Sequence, residues 1–223
     1  MSLDQKKLDQ QSQHWEINFS NKPEMFGLNQ SLSAEKALKL FNQKKIRNIV
    51  ELGAGLGRDS IYFAKNSINT TALDYSASAI NIINEKIKKN NLSKYLSTKI
   101  FDVRKNLPFE DNSIEACYSH MLYCMAFTNE NLKKLNSEIL RILKPGGYNI
   151  YTVRHTEDGD FKNGIHRGED LYENDGFIVH YFSNKKVNSL INGFKNTTLE
   201  KFEEGNFPRK LYYVVNKKNI KIQ

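Results

Sequence analysis

Cysteine is scarce. The 223 residues contain two, Cys117 and Cys124. Two thiols supply neither a disulfide framework nor a four-cysteine zinc site. Both lie in an apolar stretch, where free thiols act as small core residues. Proline is also rare, at four, and no linker-like composition divides the chain. This length fits a single α/β domain. No apolar run approaches the roughly 20 residues of a membrane span. The opening Met1-Ser2-Leu3-Asp4-Gln5-Lys6-Lys7 has no signal-peptide core, so the expected address is the cytoplasm. Like charges never run to five, which excludes a basic tail. With 39% apolar and 26% charged residues, the composition is that of a polar-surfaced globular protein.

The formal net charge is +8. Lysine supplies 26 of the 33 basic residues and asparagine occurs 26 times, a bias spread over the whole chain. Residues 151–200 carry six basic and eight acidic groups. A nucleic-acid face clusters its bases instead, so a nucleic-acid partner is not expected.

Periodicity alternates along the chain. Strands are predicted at 46–52, 69–74, 96–101, 113–119 and 148–153. Helices are predicted at 33–43 with Ser33 as N-cap, at 58–66, 77–90 and 130–143. Lys144-Pro145-Gly146-Gly147 stops the last of these and turns the chain into the fifth strand. A helix over 184–193, capped by Ser183, precedes two strands near 197–203 and 211–216 joined by a short, hence antiparallel, connection. Alternating strands and helices predict a doubly wound, mostly parallel sheet with helices on both faces.

The strongest signal is Glu51-Leu52-Gly53-Ala54-Gly55-Leu56-Gly57, where a strand meets a helix. Glycines there permit a tight turn and close approach of a ligand to the backbone. Asp74 ends the next strand and is placed to accept from ribose hydroxyls. In the dinucleotide spacing G-x-G-x-x-G the third glycine falls at position 58, which is Arg58. A carboxylate at Glu51 is ill placed for a pyrophosphate and suits a cation. S-adenosylmethionine meets these constraints, with its ammonium, its sulfonium and a ribose that needs an acid.

On these residues the chain resembles the class I S-adenosylmethionine-dependent methyltransferases over residues 46–153. The resemblance implies a seven-stranded sheet with an antiparallel last strand. It assigns the glycine loop and Asp74 to the cofactor. It makes Phe101-Asp102-Val103 the adenine-contacting segment, with Asp102 accepting from the exocyclic amine and Val103 offering an amide. Leu143-Lys144-Pro145-Gly146-Gly147 resembles the turn before the family's fifth strand. Tyr75, Ser76 and Ser119 complete the expected cofactor site. Ser76 serves equally as an N-cap, and Arg58 either meets the cofactor carboxylate or is solvated.

The acceptor pocket is expected beyond the carboxyl ends of the fourth and fifth strands, lined by His120, Tyr123, Arg154 and His155. The N/D-P-P-Y/F motif of amide-nucleophile families is absent, and no carboxylate set suggests a catechol-type metal site. Residues 154–182 hold three of the five histidines and are read as a roof. The spacing of His155, His166 and His180 matches no metal site, so no metal is expected. They either line the pocket or bond loop backbone. This stretch loosely resembles the tellurite-resistance and thiopurine-type branch. In that branch an aromatic N-terminal segment closes over the cofactor, which here corresponds to Trp15, Phe19 and Phe26; edge packing is the alternative. Residues 1–30 are thus an N-terminal extension and 31–223 the domain. The expected activity is methyl transfer to a small-molecule acceptor. An RNA methyltransferase and a non-catalytic cofactor-binding protein are the rivals.

Overall fold

The computed structural model describes residues 4–205 and 209–220. Helices α1 (Gln5–Asp9) and α2 (Gln11–Asn21) open the chain, followed by α3 (Leu32–Lys44). The alternating part runs β1 (Asn48–Leu52), α4 (Arg58–Lys65), β2 (Asn69–Asp74), α5 (Ala77–Lys89), β3 (Leu96–Ile100), β4 (Ile114–Ser119), α6 (Asn129–Ile142) and β5 (Leu143–Arg154). Three short strands follow: β6 (Ile165–His166), β7 (Leu171–Asn174) and β8 (Phe177–His180). Helix α7 (Asn184–Ser189) leads to β9 (Phe194–Glu204) and β10 (Arg209–Lys218).

The main sheet has seven strands in the order β3-β2-β1-β4-β5-β10-β9. Strands β1 to β5 pair in parallel. Strand β10 enters antiparallel between β5 and β9, as the seven-stranded expectation has it. Helices cover both faces. On one, Ala34, Leu38 and Phe41 of α3 and Phe63 of α4 pack on Ile49, Tyr118 and Ile150. On the other, Leu132, Leu135 and Ile139 of α6 pack on Val50, Cys117 and Tyr151. Cys117 and Cys124 are buried free thiols. The order reverses between β1 and β4, so their carboxyl ends border the crevice where such sheets bind ligands. No described helix is long and apolar enough to cross a membrane.

Several boundaries differ from expectation. Ser31, not Ser33, caps α3, its hydroxyl accepting from the Ala34 amide at 3.0 Å. This frees Ser33 to face the end of β4. Helix α7 stops at Ser189, and Gly193 follows with φ +81°. Within residues 154–182, strands β6, β7 and β8 form a second sheet, antiparallel throughout. The N-terminal extension is helical and packed, with Leu8 and Phe19 buried.

The fifth strand begins at Leu143 rather than 148: Leu143 already pairs with Ile114, and the Pro-Gly-Gly stretch, with Gly146 at φ +77°, is taken up as an irregularity in pairing between Ile114 and Ala116. Gly147 is forced by space. A Cβ there would lie 2.9 Å from both the Glu115 and Lys144 carbonyl oxygens. Backbone on both sides cannot retreat as a side chain can. Gly147→Ala is therefore expected to lower stability by about 1–3 kcal/mol, read as a shift of the urea midpoint. An unchanged midpoint contradicts a turn held open by backbone on both sides.

Candidate cofactor and acceptor site

The glycine loop leaves β1 and turns sharply into α4. Gly57 is the N-cap of α4 with φ +76°. A Cβ there would lie 2.6 Å from Ile83 Cγ1 on α5, so glycine is required by both conformation and packing. The Ala54 amide donates to the Leu73 carbonyl at 2.9 Å, pinning the loop to β2.

Asp74 closes the arrangement from the end of β2. One carboxylate oxygen accepts from the Gly55 amide at 2.8 Å, the other from the Ser76 amide at 2.9 Å. Ser76 in turn caps α5, accepting from Ala79 N at 3.0 Å. Tyr75, between them in the chain, is half-buried. Burial pushes the Asp74 carboxyl up to about 6, against the amides that pull it down. Glu51, 2% exposed, accepts from the Ser60 hydroxyl. Burial, and then the neighbouring Asp59, push its carboxyl well above the usual range.

Sequence reasoning misses Asp59. It is buried and accepts from Ser31 N and Ser31 Oγ, each at 2.7 Å, and from Tyr118 OH at 2.8 Å. Only its position in the first turn of α4 hints at a role.

Asp102 is engaged by its own neighbour. Arg104 grips the carboxylate through Nε at 3.0 and 3.1 Å and Nη2 at 2.7 Å, and its Nη1 reaches Asp9 of α1 at 2.8 Å. Burial pushes the Asp102 carboxyl up, but these bonds outweigh it and hold it low. Val103 points into the core. Arg58 donates to the Phe26 carbonyl at 3.0 Å and lies 3.8 Å from Glu204. Trp15 and Phe26 gather round Phe19, which packs with Leu56 and Ala79. The Phe19 ring is 3.6 Å from where a Cβ on Gly55 would be.

The four expected pocket residues divide. His120 sits just past β4 and is partly accessible. Its Nδ1 lies 2.9 Å from Ser33 Oγ and 3.0 Å from Thr152 Oγ1, its Nε2 3.2 Å from Glu204 Oε2. Thr152 Oγ1 also accepts from Met121 N at 2.8 Å, which ties the end of β4 to β5 beside the ring. Burial lowers the His120 pKa, outweighing the pull of Asp59 and Glu204.

The other three are buried and engaged by protein neighbours. Tyr123 is fully buried, stacked on Tyr151 at 4.3 Å, with its hydroxyl accepting from Asn149 at 3.0 Å. Arg154 is clamped by Asp158 and Asp160 and lies 5.3 Å from the Tyr181 ring centre. His155 is 2% exposed, and its Nδ1 accepts from Glu157 N at 3.1 Å. His180 is likewise buried and bonds the Phe127 carbonyl; His166 is exposed and bonds the Glu169 carbonyl. Ser119 is 1% exposed at the end of β4, and its hydroxyl has no partner among the described residues. No group of three or more histidine, cysteine or acidic side chains suited to a metal occurs among the described residues.

A family model described as "Methyltransferase domain" matches residues 49–147, from β1 to the Gly-Gly turn. Over that part, a little under half of its length, the chain is similar to methyltransferase domains. Among similar proteins, "Phosphoethanolamine N-methyltransferase 1" of Triticum aestivum is 36% identical over 103 residues, covering 46% of this chain and 20% of the relative. The chain thus spans about a fifth of that relative's length. The fold matches the 1,6-didemethyltoxoflavin-N1-methyltransferase of Burkholderia thailandensis, with TM-score 0.75, 12% identity and coverage of 98% of this chain and 92% of that one. TehB of Haemophilus influenzae matches at TM-score 0.65 and 19% identity, covering 92% and 67%.

The residues around the glycine loop fit S-adenosylmethionine. Glu51, Asp59 and Asp74 bury three acids around one glycine loop, and the Ser119 hydroxyl is unpaired at its rim. Cationic groups and ribose hydroxyls complement that set.

The raised Asp74 carboxyl has a signed consequence. Folded protein holds this proton to about pH 6, whereas the usual value is 3.8. Between those limits the folded state binds more protons than the unfolded, so stability falls as pH rises through that window. The shift corresponds to about 3 kcal/mol. Urea stability measured across the window is expected to fall more steeply in the wild type than in Asp74→Asn. Equal slopes contradict the buried-acid assignment.

Proposed function

We propose that this chain transfers a methyl group from S-adenosylmethionine to a small-molecule acceptor by in-line displacement. The observation that carries the proposal is Asp74, a buried carboxylate bound to both the glycine loop and the cap of α5. When bound, the cosubstrate supplies an electrophilic methyl group on a sulfonium. Asp74 receives the ribose, Asp102 lies on the adenine side, and Gly53, Ala54, Gly55 and Gly57 let the backbone approach. Glu51 and Asp59 set a negative potential beneath the loop. Trp15 and Phe19 cover it and keep water out. His120, neutral at pH 7, forms one wall of the acceptor pocket beside Ser119.

Enclosure supports a small acceptor. The β6-β7-β8 sheet roofs this end of the domain, and residues 151–200 are net acidic, which repels a phosphate backbone. The names of two similar proteins point to small acceptors, phosphoethanolamine and 1,6-didemethyltoxoflavin. Proximity and alignment supply on the order of 7–11 kcal/mol of such a barrier. A thiolate or another ionised nucleophile then needs no general base.

The direct test is release of S-adenosylhomocysteine across thiols, selenium and tellurium oxyanions, amines and phenols, with RNA as a further arm. Turnover on one small acceptor is expected. Methylation of RNA alone overturns the proposal, as does tight cofactor binding without turnover on any acceptor. In parallel, Asp74→Ala is expected to fold and to bind S-adenosylmethionine more weakly by about 1.5–3 kcal/mol, the range for hydrogen bonds to a charged group. Unchanged affinity by isothermal titration rejects Asp74 as the ribose ligand.

A further inference from the structure

The N-terminal helices touch both halves of the site. Toward the cofactor side, Phe19 lies on the glycine loop. Glu16 accepts from the Ser78 hydroxyl at 2.6 Å and the Ser78 amide at 3.2 Å, at the start of α5. Asp9 reaches Arg104, which holds Asp102. Toward the roof, Leu8 is buried with Leu171 of β7 and Ile178 of β8. Trp15 joins the two sides, its ring 5.2 Å from that of Phe19 and 4.9 Å from that of Phe177.

The decisive contact is Gln11. Its Nε2 donates to the Gly176 carbonyl at 2.8 Å, and its Oε1 accepts from the Ile178 amide at 3.1 Å. These groups flank Phe177, the first residue of β8, on the edge away from β7, where a neighbouring strand would bond; farther along the same edge the His180 amide donates to the Cys124 carbonyl at 2.9 Å. One side-chain amide therefore stands in for a strand. Gln11 is 7% exposed and Ile178 1%. Losing the amide leaves a buried N–H unpaired.

We propose that α1 and α2 are one bridge between the cofactor cleft and the acceptor roof, and that Gln11 is the positioning residue that transmits cofactor arrival to β8. This rests on the methyltransferase reading above. The roof carries no residue assigned to the cofactor, so an effect of cofactor on the roof must travel through this bridge or through the body of the domain. A coupling of this kind makes the roof order after the cofactor is in place, so that the acceptor meets a finished pocket.

The test is hydrogen exchange with S-adenosylhomocysteine as the probe. In the wild type the probe is expected to slow exchange about fivefold or more, the lower end of measured couplings, both in 10–21 and in 171–180. In Gln11→Ala, protection of 10–21 persists while that of 171–180 is lost. Gln11→Glu, which keeps the acceptor for Ile178 N and removes the donor to Gly176, is expected to fold if the alanine variant does not, and to lose roof protection likewise. Roof protection equal to wild type in a folded variant overturns the proposal. So does an unprotected roof in wild type that binds the probe by isothermal titration. Failure of wild type to bind the probe counts instead against the methyltransferase reading.

Discussion

The Asp74 carboxylate accepts from Gly55 N and Ser76 N at once, and three segments meet at that point. The glycine loop is fixed to the end of β2, and α5 receives its cap. The loop's conformation sets the start of α4, whose packing on Ile83 leaves no room for a side chain at Gly57. The cost is a carboxylate held where water is largely excluded, with its proton retained to about pH 6. A site that keeps such a group is built for a partner that arrives later with hydrogen bonds or positive charge.

The surrounding electrostatics agree with that logic. The chain as a whole is +8, yet the residues beneath the loop are acids. Glu51 and Asp59 are held by hydroxyls and an amide, with Arg58 Nε 3.9 Å from Asp59. Net charge thus says little about the ligand here. The local sign at the crevice runs opposite to the global one.

The central sheet is legible in the sequence because its physics is local. Strand β2 falls at 69–74 as expected, and β1, β3 and β4 differ by one or two residues at an end, the usual fraying of such boundaries. Three glycines between a strand and a helix, and an acid closing the next strand, are local patterns too, so the loop and Asp74 can be read directly. The N-terminal helices are harder to read: Gln11, Trp15 and Phe19 share one face of α2 at i, i+4 and i+8, but the first of them is polar, so the apolar stripe is too narrow to stand out. Strands β6, β7 and β8 are two to four residues long, too short for alternation to show. Tyr123, Arg154 and His155 sit near strand ends, but sequence position does not fix where a side chain turns. Arg154 meets Asp158 four residues on, and Tyr123 meets a facing tyrosine on β5. Glu204, which faces His120, comes from the far hairpin, beyond the reach of any local pattern.

On the proposed reading, Asp74 both organises the loop and receives the ribose. The two roles are read at once by following the Gly55 and Ser76 amide resonances against pH, with and without S-adenosylhomocysteine. The two amides are expected to titrate together with a midpoint at about 6. Ligand should move that midpoint down, because hydroxyl donors favour the ionised carboxylate. Amides that do not titrate, or a midpoint that ligand leaves unmoved at saturation, would contradict this double role of Asp74.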